Sequence, residues 1–456
     1  MRVLLWHGYL LTGSGSNVYT ANIAKAWRSA GHEVLVMCQD RAAGDLPFVD
    51  AVGVFDAGNE AFALSGTDVP SATGSCAVVR PDIGQVLPVY VYDHYEGFEA
   101  KTFVDLSDDE LNAYTDRNVA ALTAAIERFA PDAVITGHEV MGPFIAKQAC
   151  GAASMPYLAK LHGSALEYAV KIQDRYVEYA SQGLNAASVV VGGSRYMVAE
   201  AHKIVPGWLD RSAVVNPGCD VDLFKPGPPH HGLRRIGYVG KLIASKGVHN
   251  LLAALPLVEA GPFDVVIVGY GGFAEGLQRL WSAIHAGDSD AIRAIALQGE
   301  TGPLEAIVEF VDSGGITSEY TARASEIDVT FPGRLEHGPL SEALLGFDVL
   351  VAPSVVPEAF GMVAAEAAAC GLLPVVPDHS GISEAGAAVE EAIEEPGLLT
   401  FPSAQPVEGV AAAVSRVLSL EPERRRAYGQ RAVELARTRW SWEHVAEQLL
   451  ELAAEA

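Results

Sequence analysis

Glu358 and Glu366 stand eight positions apart, with Phe360-Gly361 between them, at the head of an alanine-rich run ending in Cys370-Gly371. Carboxylate oxygens accept paired hydrogen bonds, so two of them at this spacing suit recognition of a diol. A helix beginning at Gly361 would turn unpaired backbone N–H groups and the positive end of its dipole to the same place, a seat for phosphate. Glu358 falls just before that start and Glu366 about a turn and a half inside it. Upstream, Lys241 and Lys246 flank the turn Gly240-Lys241-Leu242-Ile243-Ala244-Ser245-Lys246-Gly247, the first leaving a strand and the second opening a helix. Two ammonium groups so placed can converge on one diphosphate and stabilise the charge that develops as it departs. Diol recognition beside a pyrophosphate seat describes a sugar nucleotide. Taken singly, the glutamates would serve equally as the solvated face of an amphipathic helix, and the lysines as solvated loop residues.

The chain that must hold these groups has 456 residues, too many for one compact core, so two domains are expected. Half of the residues are hydrophobic, with abundant glycine and alanine, and apolar runs alternate with helical stretches, which points to α/β architecture. With 31 basic residues against 57 acidic ones, the formal charge of −26 repels nucleic acid and anionic bilayers as main partners. It also makes a local pair of lysines conspicuous. The five cysteines (Cys38, Cys76, Cys150, Cys219, Cys370) are scattered and form no CxxC pair, which fits a reducing cytoplasm and gives no zinc site or disulfide framework. Val3-Leu4-Leu5-Trp6, stopped by His7, reads as a buried first strand rather than a signal core, and no membrane span is expected.

Residues 2–6 read as a strand, 8–16 as a Gly/Ser loop, 17–30 as a helix and 33–37 as a second strand. That is a βαβ unit and so part of a parallel sheet. Further strands are predicted at 133–136, 157–161, 188–191 and 213–215, each followed by Gly, His, Ser or Asn, as where strands deliver loops to a ligand crevice. Three prolines and two glycines in Lys225-Pro226-Gly227-Pro228-Pro229-His230-His231-Gly232 mark a linker. A second doubly wound pattern follows: strands at 235–239, 264–268, 329–331, 349–351 and 373–376, a helix from about Gly247, and a helical end over 421–456. Two stretches are surplus to this repeat and are expected as loops or lids: 41–105, with the run Tyr90-Val91-Tyr92-Asp93-His94-Tyr95-Glu96, and 277–326.

Gly13-Ser14-Gly15-Ser16-Asn17-Val18 lets backbone approach a phosphate or sugar closely. Val18 occupies the third glycine of a dinucleotide fingerprint, and Asp40 lies near the place of a ribose-binding acid; a glycine loop lining a cleft is favoured over a nicotinamide site. Asp288-Ser289-Asp290 has a DxD spacing but sits inside the second surplus stretch, and Asp105, Asp108 and Asp109 fall at a helix start, so solvated acidic loops are expected and no metal site. Strand ends of the first domain offer His7, His138-Glu139 and the 92–96 segment to an acceptor, His7 most directly.

Together, Gly240-Lys241-Leu242 with Lys246-Gly247, Phe331-Pro332-Gly333-Arg334-Leu335, Ala352-Pro353-Ser354, the two glutamates, and Cys370-Gly371 with Pro374-Val375-Val376 resemble the signature of family 4 retaining glycosyltransferases. Gly31-His32-Glu33-Val34 and Val215-Asn216-Pro217-Gly218-Cys219-Asp220-Val221-Asp222-Leu223-Phe224 match it too. The resemblance covers most of the chain in order and leaves out the two surplus stretches. It implies a GT-B fold: two Rossmann-like doubly wound domains facing each other across a cleft. Residues 1–226 would bind the acceptor and 233–430 the nucleotide sugar, with 431–456, including Trp440-Ser441-Trp442, packing back across both.

By the same resemblance, Lys241 and Lys246 would hold the donor diphosphate, Glu366 the ribose, and Glu358 with the amides near Phe360, Gly361 and Met362 the donor sugar. The backbone of Arg334-Leu335 would face the base, Gly15 would approach the diphosphate, and His162 would lie beside the transferred sugar. Lys241 stands where the family often has arginine and so lacks the bidentate fork; Pro217 also departs from many members. The expected reaction moves a hexose or related sugar, without metal or cofactor and with retained configuration, from a nucleoside diphosphate, UDP by default, to a soluble small molecule or saccharide. The leaving phosphate would deprotonate the acceptor. A nucleotide-sugar epimerase or phosphorylase on this architecture, and a non-catalytic sugar-nucleotide sensor, are the alternatives. Oligomeric state is open.

Overall fold

The computed structural model describes residues 1–69, 73–91, 95, 97–228 and 232–455. Tyr92, Asp93, His94 and Glu96 of the aromatic-acidic run, and Pro229, His230 and His231 of the linker, lie outside the described residues. Two compact units form, Met1–Pro217 joined by Trp442–Ala456, and Gly218–Ser441.

In the first unit the apolar run Arg2–Trp6 makes β1, and α1 (Gly15–Ser29) returns the chain to β2 (Glu33–Met37), parallel to β1. Helix α1 buries Tyr19, Ile23, Ala24 and Trp27 along one face, the 3.6-residue stripe of a helix laid on a sheet. Then follow β3 (Ala51–Phe55), β4 (Phe62–Gly66), β5 (Ser75–Arg80) and a separate parallel pair, β6 (Val86–Val89) with β7 (Glu99–Thr102). The described residues of 41–105 are therefore built in large part of strands rather than of loop alone. β5 pairs parallel with β2, and β3 and β4 add an antiparallel hairpin at the sheet edge. Its strands are short, and their burial alternates or is only partial, so the apolar runs were weak.

A capping box of Ser107 and Glu110 starts α2 (Asp108–Phe129), which leads into β8 (Ala133–Gly137). α3 (Gly142–Ala153), β9 (Tyr157–Lys160), α4 (Asp174–Ala186), β10 (Val189–Gly192), α5 (Arg195–Ile204) and β11 (Ser212–Val214) complete the unit. The sheet order is β11-β10-β9-β8-β1-β2-β5-β3-β4. β1 lies between β8 and β2, so the winding reverses at the β8–β1 pair, and the loops leaving these two strands flank the crevice where α/β sheets bind ligands. Those loops carry His7 and His138. The last helix, Trp442–Ala454, packs on α1: Trp27 Nε1 donates to the Ala446 carbonyl at 2.8 Å, and Trp442 meets Tyr19 edge-on with centroids 5.5 Å apart.

The second unit is wholly parallel in its sheet, ordered β14-β13-β12-β15-β16-β17. These are β12 (Arg234–Val239), β13 (Phe263–Val268), β14 (Asp328–Gly333), β15 (Val349–Val351), β16 (Pro374–Pro377) and β17 (Thr400–Phe401). The winding reverses between β12 and β15, and the loops after these strands hold Lys246 and Glu358. Helices α6 (Val248–Ala254), α7 (Ala274–Ala286), α8 (Ser289–Gln298), α9 (Glu305–Asp312), α10 (Ser318–Ala324), α11 (His337–Leu344), α12 (Met362–Ala369), α13 (Ser380–Ile393), α14 (Pro406–Leu418) and α15 (Pro422–Arg439) cover it.

The stretch 277–326 is also not a loop. It is made of α7 to α10, whose Leu277, Leu280, Ile284, Ile292, Ile307 and Tyr320 are buried in the core of the unit. These helices are short and separated by glycine and serine, which weakens the periodic signal. The helical end expected over 421–456 is two helices, broken at Trp440-Ser441; Trp440 is buried and packs edge-on to Phe360 at 5.6 Å. No described helix is long and apolar enough to cross a membrane.

Candidate active site

In the second unit, β12 runs into a tight turn: Ala244–Lys246 forms one 3-10 turn, and Gly247, with φ 70, starts α6. A Cβ at Gly247 would lie 1.8 Å from the Pro353 carbonyl oxygen, so glycine lets the β12 turn close against the β15 loop. Val355 N donates to the Ser245 carbonyl at 3.0 Å and ties the loops together. This brings Lys246 Nζ to 2.9 Å from Glu358 Oε1, with the lysine side chain 32% and the glutamate 17% exposed. Ser354 Oγ donates to the same carboxylate oxygen.

Behind Glu358 lies a chain of polar contacts that ties its loop to the start of α13. Glu358 N donates to Ser380 Oγ at 3.0 Å, and Gly381 N donates to the Glu358 carbonyl at 2.8 Å. His379 Nε2 lies 3.0 Å from the Ser354 carbonyl and Nδ1 3.0 Å from Ser380 Oγ. A carbonyl only accepts, so Nε2 carries a proton in this contact. Motif reading passed over His379 and Ser380, because nothing in their own sequence marks them; only the fold sets them under Glu358.

Gly361, with φ 88, starts α12 without a side-chain cap, which leaves the first amides of the helix open. Phe360 is buried, so its backbone rather than its ring is on offer to a ligand. Glu366 lies in the helix as expected, and burial pushes its carboxyl up to about 7. Lys241 is exposed, with its carbonyl accepting from the Tyr238 hydroxyl at 2.8 Å. Arg334 follows β14, its guanidinium 5.2 Å over the Tyr270 ring and its Nε 3.2 Å from Glu336, while Leu335 beside it is half-buried. Among the residues assigned to the donor, Lys246 and Glu358 are thus in direct contact. Lys241, Arg334 and Leu335 belong to loops leaving the same edge of the sheet.

In the first unit, His7, His138 and His162 follow β1, β8 and β9 and gather at the strand ends. Ring centroids are 5.5 Å apart for His7 and His138, 4.8 Å for His138 and His162, and 6.4 Å for His7 and His162. A cavity of about 260 Å³ opens here, walled by Tyr9, Tyr90, Tyr95, His138, His162 and the Ser14–Asn17 start of α1, which includes Gly15. Tyr9 and Tyr90 stand 5.1 and 4.8 Å from the His138 ring.

Two expected acceptor contacts are placed otherwise. His7 is buried with both ring nitrogens engaged, Nε2 2.9 Å from Asn17 Oδ1 and Nδ1 3.1 Å from Thr20 Oγ1, so it braces α1 behind the wall. Glu139 is fully buried and accepts from Gly163 N at 2.8 Å, which pins the loop carrying His162. Both directly follow strands, as an exposed loop residue would, but the turns after β1 and β8 fold these side chains inward.

Burial sets the protonation states. It pulls His7 down to about 4 and His138 and His162 well below the ordinary imidazole range, so all three rings are neutral at pH 7. Burial raises Glu139 to about 7 and lowers Lys160 to about 7. Lys160, at the end of β9, donates to the Val215 carbonyl at 3.1 Å and lies 5.3 Å over the Tyr19 ring. A buried lysine closing the short strand Tyr157-Leu158-Ala159-Lys160 gave no separate sequence signal.

Most of the remaining acidic candidates have structural partners. Asp40 accepts from Leu11 N and Ala42 N, both at 2.9 Å, and shapes the glycine loop. Asp288 caps α8 through Ala291 N; Asp108 pairs with Arg175 at 2.8 Å; Asp109 lies in the first turn of α2 and Asp105 accepts from Thr102.

Two family models match: a glycosyl transferase 4-like domain over residues 14–218 and glycosyl transferases group 1 over residues 317–434. The chain is 30% identical over 291 residues to D-inositol 3-phosphate glycosyltransferase of Corynebacterium urealyticum, covering 59% of this chain and 57% of that protein. To alpha-maltose-1-phosphate synthase of Mycolicibacterium smegmatis it is 28% identical over 285 residues, 59% of this chain and 63% of that one. The match thus spans less than two thirds of the length of these relatives. Among solved structures, sucrose-phosphate synthase of Thermosynechococcus elongatus superposes with TM-score 0.62 at 19% identity, over 100% of this chain and 98% of that one. Anabaena HepE, in complex with UDP, superposes with TM-score 0.61 at 15% identity, over the whole of both chains. These likenesses give the fold, GT-B. With the two matched models taking in more than half of its residues, the chain belongs to the group 1, 4-like glycosyltransferase family.

Proposed function

We propose that the chain is a retaining glycosyltransferase that moves a hexose or related sugar from a nucleoside diphosphate, with UDP as carrier, to a soluble small molecule or saccharide, without metal. The observation that carries this reading is the Lys246–Glu358 contact at the uncapped start of α12, a cation and a diol acceptor held within 2.9 Å of each other. UDP as carrier is supported by HepE, which has been solved with UDP, with UDP and glucose, and with UDP-glucose.

In the reaction so proposed, Lys246 turns from Glu358 to the β-phosphate, and Lys241 adds a second charge. Glu358, held by Ser354 and Ser380, accepts from hydroxyls of the donor sugar, and Glu366 from the ribose. The bond between the anomeric carbon and the phosphate oxygen breaks as the acceptor oxygen bonds to that carbon on the same face, and the acceptor proton passes to the leaving phosphate. Positive charge at the departing dianion lowers the barrier. Neutral His162 hydrogen-bonds the transferred sugar. Five buried free cysteines support a reducing cytoplasm as the setting.

Calorimetry with UDP, GDP and ADP, followed by mass spectrometry and NMR of products formed from the matching sugar nucleotide, tests the reading. Binding of one diphosphate and a product with the donor's anomeric configuration are expected. An inverted product removes the retaining mechanism, and failure of all three diphosphates to bind removes the function.

A further inference from the structure

Glu300 belongs to the stretch 277–326, which the proposed reaction leaves without a role, yet its carboxylate reaches the turn that carries Lys246. It lies between α8 and α9, in Gly299-Glu300-Thr301-Gly302. Gly299, with φ 46, closes this turn so tightly that a Cβ there would lie 1.8 Å from the Gly302 carbonyl oxygen. Leu304 N donates to the Ala296 carbonyl at 2.8 Å, and Ile292, Ala296, Leu304 and Ile307 are buried, so the turn stands on a packed base. A glutamate on an exposed turn is ordinarily left to water. This one is spent on backbone.

Glu300 Oε2 accepts from Ala244 N at 2.6 Å. Ala244 is buried and opens the 3-10 turn Ala244–Lys246, so its amide has no acceptor within the turn. A buried N–H left without an acceptor is costly, and Glu300 supplies one from 56 residues away in sequence. The second oxygen, Oε1, lies 2.9 Å from where a Cβ on Gly272 would stand, so the bare glycine after β13 leaves room for the carboxylate. Backbone bonds join the same two loops: Leu242 N donates to the Tyr270 carbonyl at 2.8 Å and Phe273 N to the Leu242 carbonyl at 3.0 Å. Those bonds fix Leu242. Glu300 fixes Ala244, two residues before Lys246.

We infer that Glu300 is a positioning residue for the donor: by holding the Ala244 amide it sets where Lys246 stands, and through Lys246 the affinity for the diphosphate. This deepens the sugar-nucleotide reading and rests on it. The charge of Glu300 works against that service, because a carboxylate beside the lysine turn repels a diphosphate bound there. Its hydrogen bond and its charge therefore act in opposite directions and can be separated. Glutamine keeps an acceptor and drops the charge, whereas alanine drops both.

Hydrogen exchange on the ligand-free full chain tests the contact. In Glu300→Ala the amides of 244–247 are expected to exchange about ten-fold faster, and in Glu300→Gln within about two-fold of the unaltered chain. Calorimetry with UDP and saturation-transfer NMR with uridine test its use. Glu300→Ala is expected to weaken UDP by about three- to ten-fold and Glu300→Gln not to weaken it, with uridine, which has no phosphate for Lys246, within about two-fold in both. Gly272→Ala, whose methyl displaces the carboxylate, is expected to reproduce the loss of UDP affinity and to add nothing in the Glu300→Ala background. Unchanged exchange at Ala244 in Glu300→Ala overturns the inference, as does a Glu300→Gln as weak as the alanine variant, a matching loss of uridine, or tighter UDP binding without the carboxylate. Additive losses in the double variant overturn it as well. Absence of UDP binding by the unaltered chain would instead sink the sugar-nucleotide reading, while the exchange rates decide the contact separately.

Discussion

Replacing Gly247 by alanine tests how the lysine turn is built. Its φ of 70 is in the left-handed region, and the new methyl would sit 1.8 Å from the Pro353 oxygen and 3.2 Å from Val355 Cγ1. Pro353 is not free to recede, because Ala352 N donates to Val375 at 2.9 Å on one side of it and Val355 N to Ser245 at 3.0 Å on the other. The left-handed conformation costs a non-glycine residue about 1–2 kcal/mol. Overpacking adds about 1–3 kcal/mol, and the lower entropy of the unfolded alanine chain returns about 0.4–1 kcal/mol. The net loss is about 1–4.6 kcal/mol, which for a unit of this size lowers Tm by roughly 2–18 °C. Movement of the turn carries Lys246 away from Glu358, so UDP affinity measured by calorimetry should fall about ten-fold, near 1.4 kcal/mol. Gly261→Ala, at an exposed position with nothing within 4 Å of the new methyl, is the control and should change neither value. A Gly247→Ala protein that melts within a degree of the unaltered chain and binds UDP equally well would refute the reasoning.

Lys246→Met should weaken UDP binding by about ten- to a hundred-fold, since a charged hydrogen bond to phosphate is worth about 1.5–3 kcal/mol; calorimetry checks it. Glu358→Gln keeps the shape and loses the charge, and kcat should drop about a hundred-fold or more with UDP affinity nearly intact, as read by steady-state kinetics beside calorimetry. His162→Ala should lower the single-turnover rate by about ten- to a hundred-fold while the donor Kd stays within about two-fold. Lys160 gives a pH signature: burial lowers its ammonium to about 7, so between that value and its ordinary one the unfolded chain binds the extra proton. Stability contributed at this site therefore rises as pH climbs above 7, by at most about 1.4 kcal/mol per pH unit, and denaturation curves of Lys160→Met should lack that increment.

Residue order alone carried the doubly wound pattern, the strand ends and the donor motifs, because parallel strands buried on both faces read as continuous apolar runs and glycine marks the turns that must close tightly. Lys246 and Glu358 were each legible for that reason, one beside Gly247 and the other three residues before Gly361, but their contact with each other was not. Folding alone decided which strand-end side chains face a ligand. His7, His138 and Glu139 all follow strands, yet Asn17 and Thr20 claim the first and the Gly163 amide claims the last, while the buried His138 ring has no hydrogen-bond partner among the described residues. The support of Glu358 by His379 and Ser380, and the merging of 41–105 and 277–326 into sheet and core, were likewise settled in three dimensions. Hydrogen-bond partners remote in sequence, and short elements whose apolar pattern is completed only by neighbours, leave no local trace along the chain.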